Sequence, residues 1–189
     1  MVVTSKTIMR RANVRFNYLD YLQLPEDKRY EILDGDLCVV PAPNIRHQTV
    51  SLNLAAALLQ HVRANRLGHV LEAPCDVVLS DEDVLQPDIL FVREERCGII
   101  REANLQGAPD LVVEILSAGT RAKDLGIKKK TYARFGVQEY WVVDPESETV
   151  EVLLWNESGY ASAGICGKAG RLSSPLFPDL NLPLREIFG

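Results

Sequence analysis

The chain has 189 residues, 47% of them hydrophobic and 25% charged, with a formal net charge of −5. That length suits one domain with a substantial core, the composition is that of a soluble globular protein, and the acidic balance excludes an indiscriminate nucleic-acid coat protein. No apolar run approaches membrane-spanning length and no signal-peptide core opens the chain, so no membrane partner is expected.

The four cysteines (Cys38, Cys75, Cys97, Cys166) are scattered without a Cys-x-x-Cys pair. They read as free thiols in a reducing cytoplasm. The three histidines, at positions 47, 61 and 69, lack zinc-ligand spacing.

In chain order, residues 1–12 read as a disordered leader and residues 13–189 as the single domain. Phe16 to Leu24 suggests a short helix ended by Pro25. Tyr30–Leu33 and Asp36–Val40 flank Asp34-Gly35, a strong hairpin signal. Glu31 lies in the first of these strands, where an exposed carboxylate is the default reading and a place in an acidic site the alternative. Asn44 to Asn65 carries Val50, Leu54, Leu58 and Val62 at core spacing, and Gly68 is expected to end that helix. His47, in its first turn, reads as an ordinary polar residue before it reads as a substrate contact.

Strands are expected at His69–Ala73, Asp76–Leu79 and Gln86–Val92, with an acidic turn at Ser80–Asp83. Pro87 forbids one ladder hydrogen bond and marks a bulge or strand start. Asp88 then heads an apolar strand, where the commonest use of Pro-Asp is to cap a turn. Glu139–Asp144 and Thr149–Trp155 form a late hairpin around Pro145–Glu148, expected to be core or, between Tyr140 and Trp155, a homodimer surface. Tyr160 to Ser174 holds weak strands, and Pro178 to Phe188 reads as turns or a last helical turn.

One stretch organises the rest. Leu111 to Leu116 is apolar at every position except Glu114, as in a strand buried on both faces. A carboxylate there needs a metal, a cation or several donors. The following segment, Arg121 to Phe135, reads as a helix with Thr120 as N-cap and Gly136 at its stop. At about 100° per residue, Leu125, Ile127, Thr131, Tyr132 and Phe135 share a side with Asp124 and Lys128. Lys128 is therefore expected to point inward. The helix alone suggests a buried Asp124–Lys128 pair that ties it down. Together with Glu114 and the acidic site upstream, a functional cluster is the better reading. The basic run of Arg121, Lys123, Lys128, Lys129, Lys130 and Arg134 suits phosphate contact as well as it suits a solvated helix face.

Several pieces occur in an order that resembles the PD-(D/E)XK nuclease superfamily, and within it the Uma-type bacterial family of restriction endonucleases. They are Tyr30–Gly35, Pro41–His47, Gln86-Pro-Asp88, Pro109–Ser117, Asp124 to Lys128 with Tyr132, and Gly136–Pro145. The resemblance covers the chain from about Phe16 onwards. It implies an α/β (α+β) fold, a restriction-endonuclease-like mixed central sheet flanked by helices, with an N-terminal β-hairpin. Carried over residue by residue, it implies Asp88 and Glu114 as metal-binding acids on adjacent central strands. The superfamily's lysine stands two residues after the second acid, where this chain has Leu116. Lys128 is its replacement from the following helix.

The implied activity is metal-dependent hydrolysis of DNA phosphodiester bonds, with Mg²⁺ (or Mn²⁺) on Asp88 and Glu114 and assistance from Lys128. Glu31, His47, Asp124, Lys130 and Tyr132 are candidate supporting residues. The rival readings are a DNA- or protein-binding module that keeps the nuclease scaffold without cleavage, a structural or interaction protein, and a hydrolase of another phosphate ester.

Overall fold

Asp34 and Gly35 both take left-handed backbone angles, with φ of 50° and 76°. That turn pairs β1 (Arg29–Leu33) with β2 (Asp36–Val40) in antiparallel register, as the Asp-Gly signal requires. The computed structural model describes residues 14–189, so the expected leader lies outside the described residues. Before the hairpin, Asn17 caps α1 (Tyr18–Tyr21) by accepting from the amides of Leu19 and Asp20, while the Asp20 side chain accepts from the Asn17 amide.

The long helix α2 (Ile45–Asn65) starts at Asn44, whose side chain accepts from the His47 amide. It ends at Arg66, in left-handed conformation, and not at Gly68. Gly68 instead opens β3 (Gly68–Glu72) with φ 144°, and a Cβ there would lie 2.1 Å from the Val92 carbonyl oxygen. Close approach of a neighbouring strand is what requires this glycine. Gly68→Ala is expected to cost about 3 kcal/mol or more, read from denaturant midpoints. A cost under about 1 kcal/mol would mean that β3 shifts freely.

The strand expected from Gln86 to Val92 begins only at Ile89, and a short strand that was not expected precedes it. Between β4 (Val77–Ser80) and β6 (Ile89–Arg93) stands β5 (Asp83–Leu85), beginning at the last residue of the expected acidic turn. Gln86-Pro87-Asp88 carries the chain from β5 into β6, and the two belong to different sheets. Pro87 lacks the N–H that would continue a ladder, which suits it to that crossing.

Next come β7 (Leu105–Gln106) and β8 (Leu111–Ile115), then α3 (Arg121–Lys123), a π turn (Asp124–Lys128) and α4 (Lys129–Arg134). β9 (Glu139–Asp144), β10 (Thr149–Asn156) and β11 (Gly159–Gly167) follow. The weak strands expected up to Ser174 include β12 (Arg171–Ser174); the tail expected as turns or a last helical turn instead begins with a strand, β13 (Phe177–Pro183), that pairs with β12, and then closes in the helical turn α5 (Arg185–Phe188). The buried Glu139 carboxylate holds that hairpin, accepting from Trp141 Nε1, Ser174 Oγ and the Leu176 amide.

The central sheet runs β11-β10-β9-β8-β6-β3, and a second sheet runs β2-β1-β5-β4-β7. β8 and β9 are parallel, and the other neighbours in the central sheet antiparallel. The fold is therefore the mixed α+β arrangement expected, with the hairpin strands belonging to the second sheet. On one face of the central sheet, Val50, Leu54, Leu58 and Val62 of α2 pack against Leu111, Val113 and Ile115. On the other, Val112 and Leu116 meet Leu33, Leu85, Tyr132 and Tyr140. The alternation along β8 puts Glu114 on this second face.

The β9–β10 hairpin, expected as core or a homodimer surface, sits between β8 and β11, and Tyr140, Trp141, Val143 and Val150 are fully buried by the chain's own layers, so these side chains are core; Trp155 at the end of the hairpin is exposed. Among the described residues, no helix is long and apolar enough to cross a membrane.

Candidate active site

Continuing the antiparallel register of β6 and β8 one step beyond Ile89 and Val113 brings Asp88 opposite Glu114. Asp88 is thus no turn cap. Its Oδ2 accepts from the Ile115 amide across the strands at 2.7 Å. His47 Nε2, from the first turn of α2, lies 3.2 Å from the same oxygen. Burial works against a charge on His47, yet its hydrogen bond to Asp88 and that carboxylate's charge raise its pKa above the ordinary value.

Glu114 points to the face covered by the helix after β8. Its Oε1 accepts from Lys128 Nζ at 3.0 Å and from the Tyr132 hydroxyl at 2.7 Å. Lys128 also lies 2.7 Å from Glu31 Oε1 and 3.6 Å from Asp124 Oδ1. Glu31 is therefore not an exposed strand carboxylate. It is buried, and its Oε1 also accepts from the Gln86 amide at 2.9 Å.

The helix is not the continuous one expected over Arg121 to Phe135. A π turn occupies Asp124–Lys128 and widens that turn by a residue. Asp124, Lys128, Thr131 and Tyr132 are buried as their spacing predicts, whereas Leu125 and Ile127 are exposed despite being apolar. The wider turn changes the phase on which their placement depended. The Tyr140 hydroxyl donates to the Asp124 carbonyl and fastens the π turn to the sheet. Thr120 makes no side-chain cap; its hydroxyl pairs with that of Ser117 at 3.0 Å.

Lys130 is not brought to the cluster. It is exposed and lines an open groove with Asp34, Ile127 and Arg134. Gln86, in contrast, takes a place that the sequence reading did not give it. Besides its amide bond to Glu31, its side chain donates to Asp76 Oδ1 at 2.7 Å, and the Tyr21 hydroxyl donates to that same oxygen at 2.8 Å. Its position beside Pro87-Asp88 was the only signal.

Electrostatically, the carboxylates outnumber the cations. Glu31, Glu114 and Asp124 surround one ammonium, and neither Asp124 oxygen has a hydrogen-bond partner among the described residues. Burial pushes the Glu114 pKa well above the carboxylate range, and the Lys128 charge only partly offsets it. Burial likewise raises Asp124, again opposed by Lys128. Lys128 is disfavoured as a cation by burial, but the pull of Glu114, Glu31 and Asp124 wins and its pKa rises. Burial, then the Glu114 charge, keeps the Tyr132 phenol protonated as a donor.

Access to the cluster is uneven. The side chains of Asp88 and His47 are 18% and 12% exposed, those of Lys128, Glu114 and Glu31 5%, 4% and 3%. Asp88 and Glu114 each keep one oxygen, Oδ1 and Oε2, that accepts no hydrogen bond from the described residues.

No curated protein matches the chain. A solved structure, a putative nuclease belonging to DUF820 from Anabaena variabilis, superposes with a TM-score of 0.77. It is 19% identical and covers 92% of this chain and 97% of its own, a likeness that speaks to the fold. The model of the Uma2 family, described as "Putative restriction endonuclease", matches residues 18–185. That match spans nearly the whole described chain and includes every residue of the acidic cluster: the chain belongs to the Uma2 family.

Proposed function

We propose that the chain hydrolyses DNA phosphodiester bonds with a divalent metal held by Asp88 and Glu114. The observation that carries this reading is the convergence of Glu31, Asp88, Glu114, Asp124 and Lys128, from distant parts of the chain, around the facing ends of β6 and β8. The donor set fits a hard ion such as Mg²⁺ or Mn²⁺. It is all oxygen, it has an excess of negative charge, and Asp88 and Glu114 each have an oxygen to offer. Among the described residues, no three His, Cys, Asp or Glu side chains form a ready cage. Mg²⁺ keeps several waters and accepts phosphate oxygens, so the proposal asks only two carboxylates of the chain.

A bound divalent ion would supply Lewis acidity towards water and phosphate oxygens. The chain's own residues prepare the acids. The Ile115 amide and His47 orient Asp88, while Tyr132 and Lys128 hold one oxygen of Glu114 and leave the other. The Lys128 charge, placed beneath the carboxylates, reduces their repulsion of an incoming phosphate.

Calorimetry with Mg²⁺ and Mn²⁺ tests this, in the presence of a phosphorothioate DNA duplex that can complete the coordination. Wild-type binding that disappears in Asp88→Ala is the expected result. No binding by the wild type with duplex present would defeat the proposal.

A second reading has specific support. Leu116 stands where the superfamily has its lysine, and Lys128 is enclosed. A module that binds DNA or protein on the same scaffold without cleavage would bind its partner equally well with chelator present and leave DNA intact.

A further inference from the structure

Beside the acidic cluster lies a cavity of about 410 Å³. In the central sheet Asp88 has Glu114 of β8 on one side and the end of β3 on the other, where the Ala73 amide donates to the Asp88 carbonyl. Leu71 of β3 pairs with Leu90 of β6, and paired residues share a face. Leu90 and Asp88 are two residues apart, so that face is the one Asp88 and Glu114 occupy. The cavity opens on it between Leu71 and Leu105 of β7, starting one strand spacing, about 4.8 Å, beyond Asp88. Leu71, Ile100 and Leu105 give it apolar walls. Its inner end is polar. Asp76 Oδ1 accepts from the Tyr21 hydroxyl at 2.8 Å and from Gln86 Nε2 at 2.7 Å, which fixes the carboxylate. Asp76 Oδ2 accepts no hydrogen bond from the described residues and is not closed off from solvent. The Gln86 side-chain carbonyl, buried beside it, likewise has no partner among the described residues. Two acceptors thus stand at that end in need of a donor. Glu72 does not join them, because its carboxylate turns to Ser51 of α2 on the opposite face.

We propose that this cavity seats one unpaired base of the DNA strand, next to the phosphate at Asp88, and selects a base with an exocyclic amino group. The assignment rests on the hydrolysis proposed for the acidic cluster. An apolar slot with hydrogen-bonding groups at one end suits a flat heterocycle. A carboxylate oxygen at that end accepts from an amino group such as cytosine N4, whereas thymine turns the O4 acceptor to the same place. The Asp76 charge also keeps phosphate out of the inner end. Arg101, exposed at the rim, offers the adjoining phosphate a cation instead. Gln86 joins the two sites, since its side chain fixes Asp76 while its backbone amide donates to Glu31 of the cluster.

Fluorescence anisotropy of the full chain with single-stranded phosphorothioate oligo-dC and oligo-dT, in Mg²⁺, tests the base pocket. The wild type is expected to bind oligo-dC about tenfold more tightly than oligo-dT. Asp76→Asn keeps an oxygen for Tyr21 and Gln86 and puts an amide N–H₂ where Oδ2 stands, so the preference should reverse towards oligo-dT. A carboxylate that served only the fold would not reverse a base preference. Ile100→Trp fills the slot without touching Asp76 and should erase the preference at an unchanged melting temperature. Equal binding of the two oligonucleotides by the wild type would overturn the pocket and leave hydrolysis at the acidic cluster standing. So would a preference that Asp76→Asn fails to reverse or Ile100→Trp leaves in place, or binding of duplex DNA alone. A wild type that binds neither oligonucleotide nor duplex would remove both the hydrolysis and the pocket.

Discussion

Glu114→Gln is expected to reduce metal-dependent DNA cleavage at least about 100-fold while leaving the protein folded. The substitution keeps the side chain's shape. Its carbonyl oxygen can still accept from Lys128 and the Tyr132 hydroxyl, as Oε1 does now. What changes is the oxygen that takes no hydrogen bond, which becomes an amide nitrogen unable to bind a cation. Stability should move by no more than about 1 kcal/mol. Burial already disfavours the Glu114 charge, so removing it costs the fold little, although one anionic partner of Lys128 is lost. The measurement pairs a cleavage assay on supercoiled and linear DNA, with and without Mg²⁺, with thermal melts of both proteins. Loss of cleavage at an unchanged melting temperature supports Glu114 as a metal ligand. Equal cleavage by the two proteins would remove Glu114 from the chemistry. Cleavage lost only together with the fold would make it a structural carboxylate.

The burial of Glu114 and Lys128 was legible in sequence because each violates a local pattern, whereas Asp88 was singled out only by the family resemblance. Glu114 interrupts an apolar run, and Lys128 falls on a buried helical stripe; both signals depend on near neighbours alone. For Glu31 the sequence left both readings open, because an exposed strand carboxylate has the same sequence pattern as a buried one. What decides its burial is the docking of β1 over the helix that carries Lys128, a contact between residues nearly a hundred positions apart. The same holds for His47, whose partner Asp88 lies beyond the strands that follow α2. Gln86-Pro87-Asp88 looked like the start of a single strand because composition does not reveal a change of sheet. The π turn escaped for a related reason. Helical phase was counted at one constant angle, and the places where that count failed, Leu125 and Ile127, flank the residues that enter the site. Sites often sit where regular geometry is broken. The late hairpin read as core or homodimer surface alike because apolar content cannot separate a strand covered by its own chain from one awaiting a partner; its buried side chains make it core.

Lys128→Ala is expected to destabilise the protein by about 3–5 kcal/mol, the largest stability effect at any site residue. The ammonium is the cation within ion-pair distance of Glu31, Glu114 and Asp124 alike. Without it, buried carboxylates face one another with no opposite charge between them, and removing one partner of a buried pair costs far more than replacing the whole set. The loss should depend on pH in a defined direction. Glu114 and Asp124 have folded pKa values raised above their unfolded ones, mainly by burial, and Lys128 opposes both shifts. Its removal raises them further. A carboxyl group with a raised folded pKa binds more protons folded than unfolded, so stability falls as pH rises above the unfolded value near about 4. The deficit of Lys128→Ala should therefore be greatest near neutral pH and shrink as the pH falls towards about 5. Urea melts of wild type and variant across that range measure it. Combining Lys128→Met with Glu31→Gln, Glu114→Gln and Asp124→Asn removes the unpaired charges along with the cation, and should recover most of the lost stability. A deficit independent of pH, or one that the combined variant leaves unchanged, would place the contribution of Lys128 in the packing of its aliphatic stem and not in its charge.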